Sequence, residues 1–144
     1  MPGAEKSIDV NTSAEVLFSV IADYEKYPEF LKDIESAKIV KRGNGVTEAK
    51  FAITVVKRVE YTLRLHESPP NEVRWELVES NIMTVNNGGW KLETLGENKV
   101  RAHYRLEVGL PRFLPVPGSL VDKLTGQTLP ATLEAFKKRA ESMK

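Results

Sequence analysis

Residues 118–143 read GSLVDKLTGQTLPATLEAFKKRAESM, and this stretch decides the fold. Its apolar residues recur at helical spacing, which predicts a long amphipathic C-terminal helix. Pro130 lies inside this pattern, where a proline removes the bond to the carbonyl of Gly126, so we expect a kink between Gly126 and Pro130. The inward stripe changes there. It consists of Leu120, Val121, Leu124, Gln127, Thr128, Ala131 and Ala135 in the first half, and of Leu129, Leu133, Phe136, Ala140 and Met143 in the second.

The chain before this helix, from about residue 33 to 110, has a period of two. Apolar residues occupy every second position in the segments 49–55, 59–65, 73–77 and 100–108, and most of the positions between them hold charged residues. Such alternation predicts antiparallel strands with one apolar face and one charged, solvent-exposed face. The helices must cover the apolar face.

The N-terminal region predicts a short strand and two short helices. Residues 4–11 resemble a strand, and Thr12 followed by Glu15 has the spacing of a capping box with Thr12 as the N-cap. The aromatic-rich segment Tyr24–Leu31 predicts a second short helix, with Pro28 in its first turn.

The segment Asn86–Gly89, Asn-Asn-Gly-Gly, is the sharpest local break among the strands. It fits a tight hairpin turn, since Asn-Gly suits positive φ, or a bulge that bends one long strand. We favour the bulge, because the inward positions change from odd (Met83, Val85) to even (Trp90, Leu92). It is no phosphate loop, because it lacks the lysine and the helix start.

Composition excludes several function classes. The 144 residues contain no cysteine and carry a net charge of +1, so disulfides and thiolate chemistry are excluded and a nucleic-acid partner is not expected. No window approaches a membrane span, and the N-terminus lacks an apolar signal core. We expect a single domain over residues 1–144 and a cytoplasmic location.

Several segments resemble the START/Bet v 1-like (SRPBCC) superfamily, in particular its polyketide cyclase/dehydrase and coenzyme-Q-binding START-type branch. They are Val16–Phe30 (VLFSVIADYEKYPEF), Gly89–Leu92, the strand Val100–Leu110 and the proline-rich bend Pro111–Pro117. The resemblance implies an α+β helix-grip fold. In it, a curved antiparallel sheet of about seven strands wraps around a long C-terminal helix, two short helices follow the first strand, and an apolar cavity lies between.

The register and this resemblance together predict a ligand pocket. We expect its walls to comprise Phe51, Ile53, Tyr61, Leu63, Trp75, Trp90, Tyr104, Leu106, Leu124, Gln127 and Thr128. We expect its entrance to be ringed by Tyr27, Pro28, Phe30, Leu31, Phe113 and Leu114. The alternative is that the strand residues among them simply pack a core against the helix, and for any single one of them this is the more common role.

The sequence offers little for catalysis. His66 and His103 fall on the charged register, and Asp23 suits a helix cap, so neither a metal site nor a catalytic residue is assigned and no cofactor is expected. Tyr61 and Tyr104 could donate hydrogen bonds to a carbonyl in the pocket. Arg64 and Arg105 lie on the exterior register, where cross-strand acids can pair with them.

Three functions remain open. The first is a binding or carrier protein for a lipid or isoprenoid quinone, with transient membrane contact during exchange. The second is a polyketide aromatase/cyclase that uses Tyr61 or Tyr104, although the absence of a catalytic set argues against an enzyme. The third is a protein-interaction module resembling ribosome-associated toxin-type relatives. The sequence specifies neither the ligand nor the oligomeric state.

Overall fold

The strands and helices follow the order that the sequence pattern predicts. The computed structural model describes residues 3–31, 34–54, 58–111 and 129–143. Within these residues the elements are β1 (Gly3–Val10), α1 (Ala14–Ile21), a 3₁₀ helix (Tyr24–Glu29), β2 (Ile34–Gly43), β3 (Val46–Thr54), β4 (Arg58–Ser68), β5 (Glu72–Ser80), β6 (Val85–Gly96), β7 (Lys99–Gly109) and α2 (Leu129–Glu141).

The seven described strands form one antiparallel sheet in the order β1-β7-β6-β5-β4-β3-β2. Consecutive strands from β2 to β7 are neighbours, and β1 pairs with β7 along its whole length. The alternation predicted for β7 is present, since Val100 and Ala102 are buried while Arg101 and His103 are exposed. In β3 and β4 it is incomplete, because Ala52 and Thr62, on the outward register, are buried as well. The predicted α+β helix-grip arrangement is confirmed.

The predicted N-cap of α1 is wrong by one residue. Ser13 is the N-cap, and its hydroxyl accepts a hydrogen bond from the backbone N–H of Val16 at 3.2 Å. Thr12 is buried instead, with 2% of its surface exposed. Both residue types cap helices well, so local spacing could not separate them, and the burial of Thr12 decided between them.

The second short helix is a 3₁₀ helix, and the predicted place of Pro28 in its first turn is wrong. It starts at Tyr24, so Pro28 lies near its end rather than in its first turn. The ring of Tyr24 is fully buried, and the carbonyl of Asp23 accepts a hydrogen bond from the N–H of Lys26 at 3.0 Å. Asp23 occupies the N-cap position, but its side chain makes no capping bond.

The bulge predicted at Asn86–Gly89 is absent, and so is the alternative hairpin turn. β6 runs through all four residues and keeps an unbroken register with β7 from Val85 to Thr94. The inward positions of β6 are even from its beginning, because Asn86, Gly88, Trp90 and Leu92 are all buried. Met83 precedes the strand, so its odd number carries no register information.

Helix α2 packs against α1 and β1. Leu129, Leu133, Phe136 and Ala140 are buried, as expected for the second half of the predicted helix. The ammonium of Lys137 donates to the carbonyl of Asp9 at 2.8 Å, which ties α2 to the end of β1. The predicted first half of this helix and the start of its kink lie outside the described residues.

Candidate functional site

A cavity of about 850 Å³ lies between the concave face of the sheet and α2. All eight described residues predicted as pocket walls line it: Phe51, Ile53, Tyr61, Leu63, Trp75, Trp90, Tyr104 and Leu106. The period-two pattern places them together, because each lies on the inward register of its strand. The other three predicted wall residues, Leu124, Gln127 and Thr128, lie outside the described residues. Whether any of these residues contacts a ligand stays a prediction.

Further residues line the cavity that the sequence interpretation did not include. Ile34, Leu65, Met83 and Asn86 belong to the sheet side, whereas Leu129, Ala131, Thr132, Glu134, Ala135, Phe136, Lys138 and Arg139 belong to α2. Phe136, which was placed on the inward stripe of the second half of the predicted helix, packs in the core and also lines the cavity. Asn86 shares the even register of Trp90, a signal that was present in the sequence and was masked by the preference for a bulge.

Aromatic rings form much of the wall. Phe51 stacks on Tyr61 with ring centroids 5.5 Å apart, and on Tyr27 at 5.9 Å. Phe136 meets the rings of Tyr27 and Trp90 edge to face at 5.4 and 5.0 Å. Such contacts each add about 0.5–1.5 kcal/mol beyond area burial and hold the rings in fixed orientations. The wall is therefore preorganised.

The tyrosine hydroxyls in this region fall into two groups. Those of Tyr24 and Tyr27 are occupied, because Tyr24 donates to Glu67 Oε2 at 2.7 Å and Tyr27 donates to the carbonyl of Ile21. Those of Tyr61 and Tyr104 make no hydrogen bond to any residue in the described part of the chain. Burial raises the pKa of both phenols above the ordinary value of 10, so both remain protonated donors at neutral pH.

A polar contact crosses the floor of the cavity between β5 and β6. The indole Nε1 of Trp75 donates to Oδ1 of Asn86 at 3.0 Å, and Asn86 is only 7% exposed. Gly88 lies beneath the indole. A Cβ at Gly88 would be 2.6 Å from Cζ2 of Trp75, so only glycine permits the indole to lie there.

One side of the cavity is bordered by an ion pair between α2 and the 3₁₀ helix. Arg139 donates to Glu29 at 2.6 Å, and its guanidinium lies 5.3 Å from the ring centroid of Phe30. The hydrogen bond from Arg139 lowers the pKa of the Glu29 carboxyl below its ordinary 4.5. This ion pair between Arg139 and Glu29, called the clasp below, thus joins two elements that both border the cavity.

The predicted entrance residues are only partly brought together. Tyr27, Phe30 and Leu31 line the cavity, whereas Pro28 is not among its lining residues. Phe113 and Leu114 lie outside the described residues. A gating role for this group stays a prediction.

The two histidines lie on the outer face of the sheet, as their register predicted. His66 contacts Glu76 at 3.0 Å, and His103 contacts Ser7 at 2.7 Å and Glu93 at 3.1 Å. Arg64, also on this face, pairs with Glu48 and Glu76, as the cross-strand interpretation expected. These groups are remote from the cavity, and the described ranges contain no group of three or more side chains suited to a metal ion.

Residues 10–137 match the family described as polyketide cyclase/dehydrase and lipid transport. The chain belongs to this family. No curated protein matches the chain significantly. Membership agrees with the resemblance to the START/Bet v 1-like superfamily, and it gives the chain a fold used for hydrophobic ligand binding or polyketide cyclisation. None of the helices in the described part of the chain is long and apolar enough to cross a membrane.

Solved structures share this fold across almost the whole chain. A START superfamily protein from Mycobacterium smegmatis has a TM-score of 0.83 at 23% identity, with 99% of each chain covered. The Zhui aromatase/cyclase from Streptomyces sp. R1128 has a TM-score of 0.83 at 17% identity, covering 96% of this chain and 93% of that one. A STAR-related lipid transfer protein from Xanthomonas axonopodis has a TM-score of 0.74 at 14% identity, covering 96% and 85%.

Proposed function

We propose that this family member binds and carries a hydrophobic small molecule of the lipid or isoprenoid-quinone type in its internal cavity. The observation that carries the proposal is the cavity itself, about 850 Å³ in volume and walled mostly by aromatic and aliphatic side chains. Small-molecule sites in proteins are typically pockets of about 300–1,000 Å³ with apolar walls and few polar groups. The volume and the chemistry of the wall both fit that class.

A packing defect does not account for this volume. Protein cores contain few voids larger than a water molecule. The volume of this pocket is far larger than such a void, and the pocket is partly open to solvent. Solvent or a ligand must fill the space, and an apolar wall favours an apolar ligand.

The two tryptophans provide a direct assay. Trp75 and Trp90 are the only tryptophans of the chain, and both line the cavity. Decylubiquinone, oleic acid and a short-chain phosphatidylcholine should be titrated against their fluorescence. We expect saturable quenching by the quinone and a raised melting temperature with at least one of the three. Native mass spectrometry of protein purified from cells should show an apolar ligand. Empty protein with no response to any probe would contradict the proposal.

A matched pair of variants separates cavity binding from surface binding. Ala135 lines the cavity on α2, so Ala135→Phe places a ring in the ligand's space and should weaken binding about tenfold or more. Ser19→Phe adds the same ring on the exposed side of α1 and should leave binding unchanged. Equal effects of the two substitutions would place the ligand elsewhere.

A second candidate, a polyketide aromatase/cyclase, is favoured by one observation. The protonated hydroxyls of Tyr61 and Tyr104 face the cavity with no hydrogen bond to any described residue. Such donors can hold a poly-β-keto chain in a folded shape and stabilise the alkoxide oxygen that forms when an enolate carbon attacks a carbonyl. Their raised pKa makes them donors of hydrogen bonds rather than bases.

This alternative is tested by turnover of a reactive poly-β-keto thioester, with product patterns read by mass spectrometry. Tyr61→Phe and Tyr104→Phe each remove one hydroxyl and preserve the ring. If cyclisation occurs, each should reduce it by about 10- to 1,000-fold. Undiminished cyclisation in both variants would remove the tyrosines from the mechanism, whereas no cyclisation by the unaltered protein would leave the carrier function alone.

A further inference from the structure

Asn86 is an unusual residue for the floor of an apolar cavity. It lies on the inward register of β6, it lines the cavity, and 93% of its surface is buried, given an exposure of 7%. Burying an amide without hydrogen-bond partners costs about 1–3 kcal/mol by protein mutational data. The side chain therefore requires partners, and its surroundings determine which of its atoms have them.

The orientation of the Asn86 amide is fixed by chemistry. Indole Nε1–H can only donate, so the amide atom 3.0 Å from Nε1 of Trp75 must be the oxygen Oδ1. The nitrogen Nδ2 must then point the other way, where its partner within the described residues is the sulfur of Met83 at 3.7 Å. Met83 and Asn86 both line the cavity.

The two ends of the amide therefore have partners of unequal strength. Its oxygen accepts from an indole N–H, whereas the partner of its nitrogen within the described residues is a single thioether sulfur, which is a weak acceptor. If the only role of this residue were to accept the hydrogen bond from the indole of Trp75, the two buried N–H groups of its amide would serve no purpose. The donors become favourable once an oxygen atom occupies the cavity in front of them.

Gly88 and Trp75 maintain this arrangement. The indole lies over Gly88 and occupies the space that the Cβ of any other residue at this position would need. The ring centroid of Tyr104 also lies 5.7 Å from that of Trp75. The indole therefore cannot readily leave its position, and neither can the amide that accepts from it.

We propose that Asn86 is a specificity-determining residue, whose Nδ2 donates a hydrogen bond to an acceptor oxygen of the bound ligand while Trp75 holds the amide in that orientation. The inference rests on the proposed function, because it needs a ligand in the cavity. It narrows the ligand class to apolar molecules that carry a carbonyl or similar acceptor oxygen. A hydrocarbon has no atom that accepts a hydrogen bond from Nδ2. An ammonium group is itself a donor, so its contact with Nδ2 is unfavourable.

The test uses two probes that differ in one atom. In 2-acetylnaphthalene a C=O stands where 2-isopropenylnaphthalene has C=CH₂, and the two molecules otherwise share shape and size. Dissociation constants are measured by calorimetry for the wild type and for Asn86→Leu. We expect the substitution to weaken the ketone about tenfold and to change the alkene by less than about twofold. Asn87→Leu, on the adjacent position of the same strand and the opposite face, should change neither.

A second measurement does not depend on a variant that folds. In wild-type protein labelled with ¹⁵N, the side-chain amide resonances of Asn86 should shift downfield in proton when the ketone binds, and move little when the alkene binds. Equal responses to both probes, or equal weakening of both by Asn86→Leu, would overturn the role of Asn86 and leave the carrier function standing. Wild-type protein that binds neither probe would contradict the proposed function and this inference together.

Discussion

Replacing Gly88 by alanine tests the packing that underlies the cavity floor. A Cβ at this position would lie 2.4 Å from the backbone oxygen of Arg105 and 2.6 Å from Cζ2 of Trp75. Real Cβ atoms do not tolerate such distances, so one neighbour or the strand itself must move. The oxygen belongs to β7, which pairs with β6 through this point, and it cannot rotate away.

The expected destabilisation follows from these two contacts. Adding a methyl group to a well-packed site costs about 1–3 kcal/mol. If the indole moves aside instead, the bond from Trp75 to Asn86 is lost, at about 1 kcal/mol. We therefore expect Gly88→Ala to lower the free energy of unfolding by about 2–3 kcal/mol. For a chain of this size the melting temperature should fall by about 5–10 °C.

Urea denaturation, followed by tryptophan fluorescence and by far-UV circular dichroism, measures this difference. Gly96→Ala is the matched control, because Gly96 lies on the same strand with no atom within 4 Å of its Cβ position. That substitution should be neutral, or stabilising by up to about 1 kcal/mol. If Gly88→Ala proved as stable as Gly96→Ala, the placement of the indole over β6 would be refuted.

A double variant separates the two contacts. Trp75→Leu removes the indole, so adding Gly88→Ala to it should cost less than it does in the wild type. The clash with the Arg105 oxygen remains, so the cost should stay above zero. Full additivity of the two substitutions would show that Trp75 and Gly88 do not contact each other.

Three further predictions concern the elements around the cavity. Ser13→Ala should lower the free energy of unfolding by about 1 kcal/mol in urea denaturation, because α1 loses its N-cap. Tyr24→Phe should lower it by about 1.5–3 kcal/mol in the same assay, since a buried hydroxyl no longer donates to Glu67. Glu29→Gln should lower the melting temperature at pH 7, and the difference should fade as the pH falls from 4.5 through the lowered pKa of Glu29.

Each of these has a control. Glu15→Gln should leave α1 intact, because Ser13 caps it without a capping box. The same substitution also matches the charge change of Glu29→Gln on an exposed surface. Identical pH profiles for the two would refute the link between Glu29 and Arg139. Thr47 also donates to Glu67, so Tyr24→Phe combined with Thr47→Val should cost more than either alone, and a harmless Tyr24→Phe would refute the buried bond.

The sheet and the main wall of the cavity could be predicted because they depend on a geometric period. Alternate residues of a strand point to opposite faces whatever the tertiary context, so Tyr61, Leu63 and Tyr104 had to share a face once their strands were recognised. The histidines were placed on the outer face by the same rule. Nothing beyond the order of residues along each strand was needed for these assignments.

Other features depend on residues far apart in sequence, and local patterns could not supply them. Arg139 and Glu29, which form the clasp, are separated by 110 positions. The choice of Ser13 over Thr12 as the N-cap depended on what buries Thr12. Asn-Asn-Gly-Gly predicted a bend because its composition suits one, whereas Gly88 is required by the indole of Trp75, which arrives from the neighbouring strand.

Asn86 illustrates why such failures are informative. The bulge was favoured because the inward positions change from odd to even along this segment, and an odd inward register at its start would have turned Asn86 to the outer face. The structure retains the register and retains the amide inside, bonded to Trp75 over Gly88. A buried polar residue that breaks the local pattern lowers stability unless the fold moves it to the surface. When the fold leaves it buried, a functional role is the expected explanation. Asn86 lines a cavity large enough for a ligand, and its nitrogen has only a thioether sulfur as its partner within the described residues, so a hydrogen bond to a bound ligand supplies that reason.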